Sequence, residues 1–447
     1  MNTPSISHLE PVKVSERIHS LDVVRGIALL GILLMNIVGF GLAWSYSNPS
    51  ISGGDTGANL YTWITTNMLF EGTMRGLFTM LFGMGFILLT LRGEKKGGGI
   101  KVADIYYRRT LWLLLFGIIH GYLLLWYGEI LYPYAVMGLL LFPVRHVNPK
   151  PLFIAGIVLL TIGVFLDFRD YNKGVETYKA GTEVQRLKDQ NQTLTTEQTE
   201  QLKAFTKLNQ TPTSEEVSEY SSKMRNSGYF KLVDIIGERV FRSQTVFFYR
   251  YSPWDILSMM LIGMALFKWK VFNASLKYKY YLIMMIVGYA VGLTVNYFET
   301  SMIVNSGFDK LTTMKADRTY QIGRFFTTIG HIGLIMIFVK SSILKFLQNA
   351  LGAVGKMALT NYLMHTILCN IYFLGFNMFG KLQRYELYYV VGLIWIFQLI
   401  ISPIWLKYFR YGPAEWMWRS LTYLEKQPFR INKPETITRK QAIPKPL

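Results

Sequence analysis

Two polar side chains, Asn36 and His120, lie inside long apolar stretches where a hydrophilic group is costly. Imidazole is the side chain best suited to move protons near neutral pH, and an amide offers both a donor and an acceptor. Each stands eleven positions after an arginine, Asn36 after Arg25 and His120 after Arg109. On a helix that spacing returns to within about 20° of the same face, roughly 16 Å further along. Each stretch therefore carries a guanidinium near one end and a second polar group deeper on the same stripe. Both deeper groups also suit plain helix-to-helix hydrogen bonding. Arg108 and Arg109 are adjacent; their forks match phosphate oxygens, and they serve equally as anchors at a membrane face.

Further polar residues need partners. Asp22 and Arg25 are three apart, and Glu71 and Arg75 are four apart, the spacing of helical ion pairs. Glu129 lies near the far end of the His120 stretch, while Asn361 and His365, four apart, project together. Asp255 opens one apolar run, and Arg324 and His331 share a face of another. Metal-ligand spacing is absent, so no metal is expected. No phosphate-binding glycine loop or GxSxG elbow occurs. The single cysteine, Cys369, excludes an intrachain disulfide.

The elements that must position these groups are transmembrane helices. Of the 447 residues 51% are apolar, and many windows approach the roughly 20 apolar residues that cross a bilayer. The expectation is an all-α polytopic membrane protein of about ten helices, arranged five plus five around a central cavity. The first bundle occupies 18–166, with helices over about 18–44, 71–91, 105–126, a fourth ending near 144, and 151–166. An outer-surface segment over 60–70 precedes the second of them. An extracytoplasmic polar helical insertion at 167–252 separates this from a second bundle at 253–408, with helices over 253–267, 280–298, 320–339, 351–376 and 387–408. A segment at 1–17 and a basic tail at 409–447, with the amphipathic YGPAEWMWRSLTY, flank the bundles. Net charge is +19, but the lysines and arginines collect at alternate ends of the spans. That asymmetry predicts both termini in the cytoplasm and contact with membrane lipids, not nucleic acid.

LDVVRGIALLGILLMN, LFTMLFGMGF, RRTLWLLLFGIIHGYLLLWYGEILYPYA, GKMALTNYLMHTIL and YGPAEWMWRSLTY together resemble the YeiB-like family of bacterial multi-pass membrane proteins. The opening motif is also similar to two groups of transmembrane acyltransferases, the heparan-glucosaminide N-acetyltransferase type and the bacterial sugar O-acyltransferases. Both begin on an LDxxRGIA-like helix with a key polar residue eleven positions after its arginine, asparagine in the heparan type, which here is Asn36. This resemblance implies a plasma-membrane protein that binds cytosolic acyl-CoA, such as acetyl-CoA, in a central pore. It would pass the acyl group to a hydroxyl or amine of a small-molecule acceptor. Asn36 would polarise the thioester, His120 would be the general base, and Arg25, Arg108 and Arg109 would hold the cofactor's phosphates. Asp22, Glu71, Arg75, Glu129, Asn361 and His365 would support them. The chain departs from the heparan type in having no histidine between His19 and His120. A transporter of a small polar or amphipathic solute, using the same buried groups without covalent chemistry, is the alternative. Glycine-rich and aromatic faces suit a homodimer.

Overall fold

A computed structural model describes residues 18–341 and 343–431; the segment 1–17 and the tail residues 432–447 lie outside the described residues. Its axis is α1 (His19–Gly41), whose 23 residues extend about 34 Å, enough to cross a hydrocarbon core. A helix apolar on all sides belongs in an interior. Accordingly α1 is buried along most of its length, against α3 (Thr73–Lys95), α14 (Lys345–Lys356), α15 (Ala358–Asn370) and α16 (Leu387–Tyr408). Glycines set the α1–α14 crossing: a methyl on Gly26 would overlap the Leu351 carbonyl, and one on Gly355 the Asp22 carbonyl. Backbones come this close only over small residues. The crossing brings the Asp22–Arg25 end of α1 beside the end of α14.

Among the described residues six helical stretches are long and apolar enough to cross a membrane: His19–Gly41, Gly57–Lys95, Pro149–Asp189, Tyr278–Asn305, Lys310–Ser341 and Leu387–Tyr408. The chain is an all-helical, multi-pass membrane protein. Four of the ten expected spans meet shorter, broken or charge-bearing helices. These are α4 (Lys101–Tyr122), with its paired arginines, the nine-residue α5 (Leu131–Leu139), α11 (Ser258–Lys268), and α15, which runs into a π turn at Ile371–Gly375. The expected 60–70 segment is α2 (Gly57–Leu69), separated from α3 by Gly72 at φ 66°.

The helix that enters the expected insertion continues past the point where hydropathy falls. α6 (Pro149–Asp189) continues through residue 167 without a break, and its 41 residues extend about 60 Å. α7 (Thr196–Asn209) and α8 (Ser214–Asn226) each start on a capping box, Thr195 with Gln198 and Thr213 with Glu216. A single helical rod then runs from α9 (Tyr229–Arg242) through α10 (Phe248–Ser252) into α11, with π segments at Ser243–Phe247 and Pro253–Leu257. α8 and α9 close the end of the bundle where α1 finishes: Met224, Ile236 and Val240 share a core with Ile37, Phe40 and Trp126. α12 (Tyr278–Asn305) and α13 (Lys310–Ser341) form a long hairpin beside α3 and α6. α17 (Pro413–Tyr423) lies across the opposite end, against α4 and α15.

Candidate functional site

A cavity of about 230 Å³ opens between α1, α3, α4, the α14–α15 junction and α17. Its mouth, at the end where α1 begins, carries five cationic residues, Arg25, Arg92, Arg109, Lys356 and Arg419, and two acidic ones, Asp22 and Glu415. Both acids have protein partners. Asp22 Oδ1 accepts from Arg25 at 3.0 Å, and Glu415 accepts from the Leu359 and Thr360 amides at 2.6 and 3.2 Å and from the Thr360 hydroxyl. Glu415 thus caps the start of α15, where the helix dipole favours negative charge. Burial nonetheless pushes its carboxyl above the usual range, against the pull of those donors. With its acids so engaged, the mouth carries a surplus of positive charge. Deeper, the lining turns apolar and aromatic, through Leu81, Phe82, Phe86 and Leu113 to Phe78, Leu131 and Tyr362. Such a hollow suits a ligand with an anionic head and an apolar tail.

The two adjacent arginines of α4 separate. Arg109 lines the cavity, its guanidinium 3.6 Å from the centroid of the Trp418 ring, while the Trp418 indole donates to the Arg109 carbonyl at 2.9 Å. Arg108 turns aside to pair with Asp104 and donates to the Thr422 carbonyl at 3.0 Å, fastening α17 to α4.

His120 is fully buried. Its Nε2 bonds the Thr366 hydroxyl at 2.7 Å, its Nδ1 has no hydrogen-bond partner, and its ring stands edge-on to Tyr362 at 5.0 Å. Tyr362 belongs to the deep wall of the cavity, so His120 is one side chain behind that wall. Asn36 is half-buried on α1; neither it nor His120 is part of the lining.

The supporting residues fall into three places. Glu129 caps α5, accepting from the Leu131 and Tyr132 amides at 2.8 and 3.0 Å and from Gln244 at 2.9 Å. Asn361 and His365 do project together, towards α16, where Asn361 donates to Ser402 at 3.1 Å and His365 Nε2 meets Gln398 Oε1 at 2.9 Å. Glu71 and Arg75 do not pair with each other. Glu71 accepts from the Tyr46 and Tyr320 hydroxyls at 2.8 and 3.2 Å, and Arg75 is bound to Asp255, which Arg324 also grips at 2.6 Å. His331 bonds Tyr289 and the Leu69 carbonyl, both at 2.8 Å.

Of the cavity's residues, Arg25, Arg109 and Asp22 are legible in the sequence as site candidates, whereas Arg92, Lys356, Glu415, Trp418 and Arg419 are not. The basic ones look like topology anchors in a sequence, and the YGPAEWMWRSLTY segment reads as an interfacial helix. Among the described residues no group of three His, Cys, Asp or Glu is placed to hold a metal ion.

Residues 266–425 match a family described as "Protein of unknown function (DUF418)". Over 417 residues the chain is 31% identical to "Uncharacterized protein YeiB" of Escherichia coli (strain K12), covering 91% of this chain and 96% of that relative. It is 28% identical over 438 residues to "Uncharacterized protein YxaH" of Bacillus subtilis (strain 168), covering 95% and 98%. A third relative, "Uncharacterized 39.9 kDa protein in amylase 3'region" of Bacillus acidopullulyticus, is 24% identical over 445 residues. No solved structure matches.

Proposed function

The chain belongs to the YeiB-like family, and from that premise we propose that it is a membrane acyltransferase that draws acyl-CoA, acetyl-CoA in the first instance, from the cytoplasm. The observation that carries this reading is the amphipathic cavity, basic at its mouth and apolar in its depth. In the proposed orientation the mouth faces the cytoplasm, because the basic ends of the spans collect on that side. Both termini are then cytoplasmic, the shorter helices complete ten passes in two groups of five, and the host is the bacterial plasma membrane.

Arg25, Arg109 and their cationic neighbours would hold the nucleotide phosphates, and the apolar shaft would take the extended arm towards the thioester. Asn36 and His120 stand about 16 Å deeper than Arg25 and Arg109 on their helices. An acceptor hydroxyl or amine would attack the thioester carbonyl as His120 removes its proton. The carbon–sulfur bond then breaks and the coenzyme leaves as a thiol that takes up that proton. Catalysis would require Tyr362 to yield, since it stands between His120 and the shaft.

Isothermal titration of acetyl-CoA into the protein, in nanodiscs and in detergent, tests the reading. Saturable binding is expected; none in either medium sinks it. A second reading rests on one observation, that neither Asn36 nor His120 lines the cavity. A transporter of an anionic amphiphile needs the same hollow without either group in contact. Proteoliposome flux without consumption of acyl-CoA would favour it.

A further inference from the structure

A second polar cluster lies beyond the deep end of the cavity. Along α3 the cavity wall includes Phe78 and Phe82, and one turn nearer the helix start stands Arg75. Tyr134, fully buried, fills the space between: its ring packs against Phe78 and Phe82, and its hydroxyl meets Thr79 and the Arg75 carbonyl. On the far side of that aromatic layer sit Glu71, Arg75, Asp255 and Arg324.

This group has a dry floor and an open face. The Arg324 side chain is 1% exposed and that of Asp255 10%, while Arg75, though part of the same ion-paired set, is 36% exposed. Glu71 and Tyr320 are half-buried. Asp255 stands on the π segment Pro253–Leu257, a distortion that interrupts an otherwise continuous rod and recurs where side chains are re-aimed for function. Gly72, in the left-handed region, lifts Glu71 off the start of α3; a methyl there would strike the Tyr320 hydroxyl and Arg324.

The charges are held apart. Glu71 and Arg75 stand four residues apart, yet no ion pair joins them among the described residues. Two tyrosine hydroxyls hold the carboxylate and Asp255 holds the guanidinium. Opposite charges at low dielectric attract strongly, so partners that keep Glu71 and Arg75 from pairing with each other, with both still partly exposed, leave a place for a ligand carrying both signs. We propose that Glu71 and Arg75 form a binding site for a small zwitterion of the amino-acid class, its ammonium on Glu71 and its carboxylate on Arg75, with Asp255, Arg324, Tyr46 and Tyr320 as positioning residues. The site goes beyond the acyl-CoA reading and stands without it.

The test uses the full-length protein in nanodiscs. Thermal shift is measured against each of the twenty standard amino acids, and against acetate, methylammonium and glucose, with acetyl-CoA titrated in parallel. At least one zwitterion should give a saturable stabilising shift, and the three controls should give none. Glu71→Gln and Arg75→Lys should each weaken that response about tenfold or more. Tyr46→Phe, which leaves both charges in place, guards against misfolding and should weaken it less. Acetyl-CoA titration should match the parent in all three, so failure of one site is told from failure of the other. The proposal is overturned if no amino acid binds, if acetate or glucose binds as well as any of them, or if Glu71→Gln leaves amino-acid binding unchanged.

Discussion

A helix turns about 100° per residue, so neighbours in sequence can face different duties, and Arg108 and Arg109 do. Arg109 presents its guanidinium to the cavity beside Trp418, whereas Arg108 binds the Thr422 carbonyl and Asp104. Replacing either by alanine removes one or two stabilising contacts, roughly 0.5–2 kcal/mol, so stability does not separate them. Ligand binding does. Arg109→Ala should weaken acetyl-CoA binding about tenfold or more, and Arg108→Ala should leave it within about twofold, both read by titration. Equal losses would mean the phosphates lie elsewhere. At this scale the sequence places both arginines beside the start of an apolar stretch, but not which of them faces inward, because that depends on where α17 lies. The bond of Arg75 and Arg324 to one Asp255 had no local signal at all, since the partners come from three distant segments.

Close helix crossings place the mouth of the cavity, and one glycine separates two outcomes. A methyl on Gly355 would overlap the Asp22 carbonyl, a backbone atom that cannot turn aside, so α14 would have to leave α1. Gly355→Ala should cost about 1–3 kcal/mol and weaken acetyl-CoA binding, because Asp22, Arg25 and Lys356 move with the crossing. Gly85 also lines the cavity, yet a methyl there meets nothing within 4 Å. Gly85→Ala should be neutral or stabilising by up to about 1 kcal/mol through helix propensity. Thermal melts of the pair decide it, and a Gly355→Ala melt at the parent temperature would refute the crossing. The apolar runs made α1, α12, α13 and α16 readable, since hydropathy reports burial in lipid. The continuity of α6 and of the rod over 229–268 was not readable. There the helix carries on through polar sequence, α6 held by packing on α7 and α13 and the rod by packing on α4, α5 and α6, while hydropathy reports an ending.

At the scale of the whole molecule the basic cavity and the zwitterion site sit back to back across Phe78 and Tyr134, the cavity towards the start of α1 and the zwitterion site towards the far end. If the basic ends face the cytoplasm, the two must be reached from opposite sides of the membrane. The sequence supplies a clean background for asking this: Cys369 is the single cysteine, and it is fully buried. Parent protein should therefore remain unlabelled by a membrane-impermeant maleimide. Lys356→Cys, in the wall of the basic cavity, should label from the cytoplasmic side alone, with acetyl-CoA slowing the reaction. Tyr46→Cys, in the loop that closes over Glu71, should label from the opposite side alone. Right-side-out and inverted vesicles separate the two. Labelling of both positions from one side would place both sites on a common vestibule, and the charge asymmetry would then have misplaced the chain in the membrane.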